Sequence, residues 1–204
     1  PANYRPISNL NTISKVIERL ALGRLRAHIT NSPNFNKSQS AYRRHHSTET
    51  ALLRILNDIY GNIDAGQDTL LVGLDLSAAF DTIEHSVLLT RLERSFGIGG
   101  PILEWIQSYL KDRTQFVHLG TANSGDTNCH CGVPQGSVLG PLLFVAYISP
   151  TARLAGNFGV GHHQYADDTQ VYVALSRETV NTNVANLLDW LAALHQWFSR
   201  NGLV

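Results

Sequence analysis

The chain has 204 residues, 43% of them hydrophobic and 16% charged, with 16 Lys and Arg balanced by 16 Asp and Glu. That suffices for one sizeable core, and no run of about eighteen apolar residues is present that could span a bilayer. Neither a secretory leader nor a Met occurs anywhere in the sequence, so we expect a soluble piece of a longer polypeptide.

Taken in chain order, Tyr4-Arg5-Pro6-Ile7-Ser8 reads as extended because of its proline, and Ile13, Val16, Ile17 and Leu20 then recur at helical spacing, predicting a helix over 14–29. Pro33 interrupts it. Ser47-Thr48-Glu49-Thr50 is a helix-start signal for a second helix ending near Gly61, with Leu52, Ile55, Leu56 and Ile59 on one face. Residues 1–60 carry nine Lys and Arg against three Asp and Glu, and the remainder seven against thirteen. A basic first part and an acidic second part suit phosphate handling by one and cation handling by the other.

Thr69 to Leu76 is almost wholly apolar, as in a strand covered on both faces, and Asp75 stands at its end. Two core-packing helices are expected over 87–96, closed by Gly97, and over 102–110, opened by Pro101 and carrying Trp105. Residues 115–120 and 127–131 read as a hairpin around Asn123-Ser124-Gly125. The loop Gly132-Val133-Pro134-Gln135-Gly136-Ser137 leads into an apolar helix over 138–148. A strand pair is then centred on Tyr165-Ala166-Asp167-Asp168, and a last helix with Val180, Val184, Leu187, Leu188, Leu191 and Leu194 stops at Asn201-Gly202. Trp190 and Trp197 on that helix read as core. The mixture predicts an α+β domain with helices backing a small antiparallel sheet.

Chemistry concentrates in Asp167-Asp168. Adjacent carboxylates repel each other at a turn that ordinarily prefers Asn-Gly or Asp-Gly, so a cation is the natural justification. Asp75 supplies a third carboxylate, and oxygen-only ligation completed by water and phosphates is the style of Mg²⁺. Cys129 and Cys131 lack the paired spacing of a zinc site even when His130, His162 and His163 are added, and read as ordinary thiols. Asp81, Glu84 and His85 read as the capped start of a helix.

In succession, Leu74-Asp75-Leu76-Ser77-Ala78-Ala79-Phe80-Asp81, the loop Gly132-Val133-Pro134-Gln135-Gly136-Ser137-Val138-Leu139-Gly140-Pro141 and Tyr165-Ala166-Asp167-Asp168 resemble three ordered motifs of reverse transcriptases. Tyr4 to Ser8 and Gln39 to Leu53 look like finger motifs of retrotransposons lacking long terminal repeats, the long interspersed elements. The resemblance implies the fingers and palm of a right-handed polymerase, truncated before the thumb, with a fingers-like basic lobe over 1–68 and a palm over 69–204. It implies RNA-directed DNA polymerisation with an RNA template, a DNA primer and dNTPs, two Mg²⁺ ions (or Mn²⁺), no membrane, and an intracellular, nuclear setting. Asp75, Asp167 and Asp168 match the catalytic, metal-holding positions. Gln135 and Gly136 match the loop against template and nucleotide, and Phe80 the ribose gate. Arg43 and Arg44 are candidates for the triphosphate, with Arg5 and Lys15 competing. Ser149-Pro150 departs from the family's usual acidic-polar turn. An inactive nucleic-acid-binding remnant of a retroelement is the competing reading, and an RNA-making polymerase, which commonly carries a polar group at the position of Phe80, is a further one.

Overall fold

The computed structural model describes residues 7–203, so Tyr4, Arg5 and Pro6 of the leading motif lie outside the described residues. Helix α1 (Thr12–Asn31) starts at Asn11, whose side chain accepts the Ser14 N–H at 2.7 Å. Helix α2 (Thr48–Asp64) begins with a reciprocal capping box between Ser47 and Thr50. It buries Ala51 and Ile55 while Leu52 stays exposed, so its apolar face is narrower than the spacing suggested.

Strand β1 (Asp68–Leu74) is an edge strand. Its burial alternates and Leu71 is 46% exposed, which corrects the expectation of a strand covered on both faces. Helices α3 (His85–Phe96) and α4 (Gly100–Leu110) follow, the first closed by Gly97 at φ 65 and the second opened by Pro101. Glu84 occupies the N-cap of α3 without a side-chain cap bond and no acid lies in the first turn, so the capping role expected of Asp81, Glu84 and His85 is not what they do.

The next hairpin is longer than expected. β2 (Arg113–Gln115) pairs with β5 (Thr127–Cys129), and inside them β3 (His118–Leu119) pairs with β4 (Ala122–Asn123). The turn therefore falls at Gly120-Thr121, with Gly120 at φ 60, rather than at Asn123-Ser124-Gly125. Helix α5 (Gly140–Ile148) is buried almost throughout, and a short α6 (Thr151–Phe158) that the sequence did not announce turns the chain back.

β6 (Gly161–Tyr165) and β7 (Asp168–Leu175) complete a three-stranded antiparallel sheet of order β1-β7-β6. α7 (Val180–Arg200) closes the domain, burying Leu187, Trp190 and Leu194. Val171 and Val173 of β7 face a core shared with α3, α4, α5 and α7. On the opposite face α2 bonds the sheet through Asp58 to the Tyr172 hydroxyl and through Asn62 Nδ2 to Thr69 Oγ1 at 2.9 Å. The three aspartates lie at one end of this sheet, Asp75 just after β1 and Asp167 and Asp168 at the turn from β6 into β7.

Candidate active site

Strand register determines how the carboxylates are grouped. Leu74, the last residue of β1, pairs with Thr169, so Asp75 and Asp168 are the next residues of the two chains at the same end of the sheet, while Asp167 occupies the two-residue turn between paired Tyr165 and Asp168. Asp75 and Asp168 are exposed and Asp167 is half-buried. Among the described residues, no three His, Cys, Asp or Glu side chains converge closely enough to hold a metal ion. Three carboxylates are the donor chemistry of a hard divalent cation.

The turn itself is clamped. Ala166 has φ 57, a left-handed conformation disfavoured for a residue with a Cβ. Gln39, fully buried, holds both sides of its peptide: Oε1 accepts the Ala166 N–H at 2.9 Å and the Ala41 N–H at 3.0 Å, and Nε2 donates to the Ala166 carbonyl at 3.1 Å. Around it the 36–40 segment runs beside β6. The Ser40 N–H donates to the Gln164 carbonyl, the Gln164 N–H to the Ser38 carbonyl, and Asn36 Nδ2 to Gln164 Oε1 at 2.6 Å. Gln164 Nε2 in turn donates to Thr169 Oγ1 at 3.0 Å, and Ser40 Oγ bonds His163 Nε2. Beyond Gln39 the chain turns through Tyr42 at φ 61. Burial pushes the Tyr42 phenol up, and the neighbouring Asp167 and Tyr165 add to the shift.

The loop after β1 is joined to the Gly132–Ser137 loop. Gly132 N–H donates to the Ile83 carbonyl at 2.7 Å, Val133 N–H to the Phe80 carbonyl at 2.8 Å, and the His85 ring bonds the Gly132 carbonyl. A Cβ at Gly132 would sit 2.7 Å from the Asp81 carbonyl, so only glycine permits this approach. Gln135 Nε2 donates to Asp81 at 2.7 Å, and burial raises the Asp81 carboxyl against the opposing effect of that bond. Gly136 is exposed at φ 91, and the Gln135 carbonyl accepts the Ser8 N–H at 2.9 Å. Phe80 is half-buried, its ring stacked on Phe144 with centroids 4.5 Å apart.

Arg43 and Arg44 have other surroundings. Arg43 donates from one guanidinium nitrogen to the Lys37 and Gln39 carbonyls at 3.1 and 2.9 Å and lies over the Phe35 ring, and both arginines line a cleft against α1. Two residues escaped the sequence reading. Gln39 is one. The other is Glu18, 1% exposed, whose Oε2 accepts the N–H groups of Val138 and Leu139 at 2.7 and 3.0 Å and so ties α1 to the entry of α5. Its spacing of seven and eleven from buried Leu25 and Ile29 set a carboxylate on the inward face, and that was the available signal.

The sequence matches the family described as "Reverse transcriptase (RNA-dependent DNA polymerase)" over residues 1–203. It is 32% identical over 205 residues to the probable RNA-directed DNA polymerase from transposon BS of Drosophila melanogaster, covering 98% of this chain and 22% of that protein. It is 30% identical over 200 residues to the RNA-directed DNA polymerase from mobile element jockey of the same organism, covering 96% and 21%. The chain thus spans about a fifth of these relatives. Apo telomerase from Candida tropicalis has the same fold, with a TM-score of 0.64 at 13% identity over 94% of this chain and 35% of that one. Telomerase from Candida albicans gives 0.58 at 16% identity over 87% and 32%. An α+β domain with the architecture of polymerase fingers and palm, carrying the ordered motifs of that family, this chain belongs to the reverse transcriptases of the long interspersed element type.

Proposed function

We propose that the chain is the catalytic part of an RNA-directed DNA polymerase from a retrotransposon, extending a DNA primer with dNTPs on an RNA template, in the nucleus where such a primer is found. The reading is supported by the register that ends β1 at Leu74 opposite Thr169, with Asp75 and Asp168 the next residues at that end and Asp167 in the adjoining turn. Two Mg²⁺ ions, when bound there, supply the charge that lowers the pKa of a hydroxyl and neutralises a leaving pyrophosphate. Asp75, Asp167 and Asp168 are the groups that hold them. In the reaction the primer's 3′ oxygen bonds to the α-phosphorus of the nucleotide, the bond to the β-phosphate oxygen breaks, and the hydroxyl proton leaves to solvent.

The chain's own contribution is positioning. The Gly132–Ser137 loop, fixed along the loop after β1, offers Gln135 and exposed Gly136 to template and nucleotide. Phe80, held against Phe144 just after Asp75, is the group assigned to the sugar. Residues 1–68 act as the fingers and 69–204 as the palm. In the full-length parent polymerase, Asp75→Asn or Asp167→Asn should abolish primer extension with Mg²⁺ and leave the thermal midpoint near that of the parent. The amide keeps the shape and removes the ligand charge. Activity within tenfold of the parent for either variant removes that residue from the metal site.

A further inference from the structure

Asp81 is left without the capping task its place suggested: Glu84 takes the N-cap of α3, and Asp81 stands directly after Phe80, six positions beyond Asp75. We propose that Asp81 is a positioning residue for nucleotide addition, its carboxylate holding the Gln135 side chain so that the tip of the Gly132–Ser137 loop stays fixed relative to Phe80. That role rests on the polymerase reading. Bonds to main-chain carbonyls already close the seam between the two loops. The Gly132 and Val133 N–H groups donate to the Ile83 and Phe80 carbonyls, the Cys131 thiol donates to the Asp81 carbonyl at 3.3 Å, and a Cβ at Gly132 would sit 2.9 Å from the Asp81 Cα. None of these contacts uses the Asp81 carboxylate, and the N–H donors among them end at Val133. Pro134 has no N–H to donate, and Gly136 is exposed at φ 91. Beyond Val133, among the described residues, the bond that returns the loop to the segment after β1 runs from Gln135 Nε2 to Asp81 Oδ2 at 2.7 Å.

The Asp81 carboxyl is half-buried, and burial pushes its pKa up against the effect of the Gln135 bond. Among the described residues no Lys or Arg pairs with it. A leucine would fill the same space without the cost of desolvating a charge, so stability alone does not call for an acid here. What the acid adds is a strong acceptor, since a hydrogen bond to an ionised oxygen is about twice as strong as one between neutral groups. It holds the Gln135 amide, while the Gln135 carbonyl accepts the Ser8 N–H at 2.9 Å. Phe80 is fixed independently, by its ring on Phe144 and by its carbonyl on the Val133 N–H. The carboxylate therefore sets the spacing between the loop tip assigned to the nucleotide and the ring assigned to the sugar. Losing it slackens the hold on the nucleotide and leaves Asp75, Asp167 and Asp168 in place, which raises KM and spares kcat. A further metal-holding carboxylate would behave in the opposite way, with kcat collapsing on loss of its charge.

The test is single-nucleotide addition by the full-length parent polymerase, with the KM for dNTP and kcat read separately. Asp81→Leu keeps bulk and removes the acceptor, and should raise KM by about tenfold or more while kcat stays within about threefold. Asp81→Asn removes the charge and keeps an oxygen for the Gln135 amide, and should leave both constants within about threefold of the parent. Gln135→Glu sets two carboxylates against each other and should raise KM by about tenfold or more; adding Asp81→Asn to it restores a donor and an acceptor in reverse order and should recover at least about threefold of that loss. The rescue decides the matter even if Asp81→Leu fails to fold. An unchanged KM in Asp81→Leu with only its thermal midpoint lowered, a collapse of kcat in Asp81→Asn, or a double variant no better than Gln135→Glu would each overturn the proposal alone. A parent that extends no primer would instead overturn the polymerase reading, and this role with it.

Discussion

Replacing Gln39 by Leu tests whether the clamp on Ala166 holds the turn that carries Asp167 and Asp168. The side chain keeps its volume and loses all three amide bonds, leaving the N–H groups of Ala166 and Ala41 and the Ala166 carbonyl without their partner in a place where Gln39 is fully buried and Ala166 is 8% exposed. An unsatisfied buried polar group costs about 1–3 kcal/mol, so three that stayed dry would cost several times that. The turn has a cheaper course. It can relax its left-handed Ala166, itself costing on the order of 1–2 kcal/mol, and open toward water. We therefore expect a loss of about 2–4 kcal/mol in stability, with the domain still folded at 25 °C. Because Asp167 and Asp168 follow directly, a shift of even 1 Å in their carboxylates should lower the single-turnover rate of nucleotide addition by about 100-fold. Hydrogen exchange at the Ala166 amide and single-turnover extension by the full-length polymerase are the two measurements. Gln39→Glu, which keeps the acceptor and loses the donor, should fall between Leu and the parent in rate. Unchanged Ala166 exchange together with a rate within twofold of the parent would refute the clamp.

Three further outcomes follow from other contacts. Phe80→Val should raise ribonucleotide over deoxynucleotide incorporation tenfold or more, read by paired single-nucleotide kinetics; lower stability with an unchanged sugar preference would mean that stacking on Phe144 is the ring's whole purpose. Glu18→Ala should lower the unfolding free energy by about 2–4 kcal/mol in urea titration, since it strips a buried N–H at Leu139 and a half-buried one at Val138, just ahead of α5, of a charged acceptor. Burial, with His163 and Arg54 nearby, holds the His162 imidazole down at about 4, so between there and its ordinary 6.5 the unfolded chain binds a proton that the folded one refuses. Stability should then fall by about 2 kcal/mol from pH 7.5 to 5, and His162→Leu should flatten the fall in thermal midpoint.

The elements that announced themselves were those whose local signals and tertiary fates agree. The Ser47 start, the Gly97 and Gly202 stops and the apolar run of α5 are local chemistry, and each sits where its residues demanded. The hairpin after α4 was misjudged because Asn123-Ser124-Gly125 carries stronger turn chemistry than Gly120-Thr121, and pairing across the longer arms overrode it. β1 looked doubly covered because Leu70 to Leu74 is nearly all apolar in sequence, although its face toward α2 carries Thr69, Leu71 and Gly73 and leaves Leu71 half open. For the site, adjacent carboxylates after Tyr165 and Asp75 at a strand end were visible because charge at the end of an apolar strand is costly without a purpose. The Gln39 clamp was not, since it is made by segments far apart in sequence.

The interface between residues 36–40 and β6 is polar where an apolar one would give more burial, and register explains the choice. Side chains on extended backbone alternate with period two, so a slip of one residue would turn Gln39 away from Ala166 and set its neighbours against the wrong groups. Apolar side chains tolerate such a slip at modest cost. A chain of directional bonds from Asn36 through Gln164 to Thr169, flanked by those of Gln39 and Ser40, does not, because every displaced donor would be left dry. Thr169 pairs with Leu74 and adjoins Asp168, so the network that fixes the 36–40 segment reaches both strands bearing the carboxylates. The metal site proposed for Asp75, Asp167 and Asp168 would gain more from that fixed register than from the additional burial an apolar seam would supply.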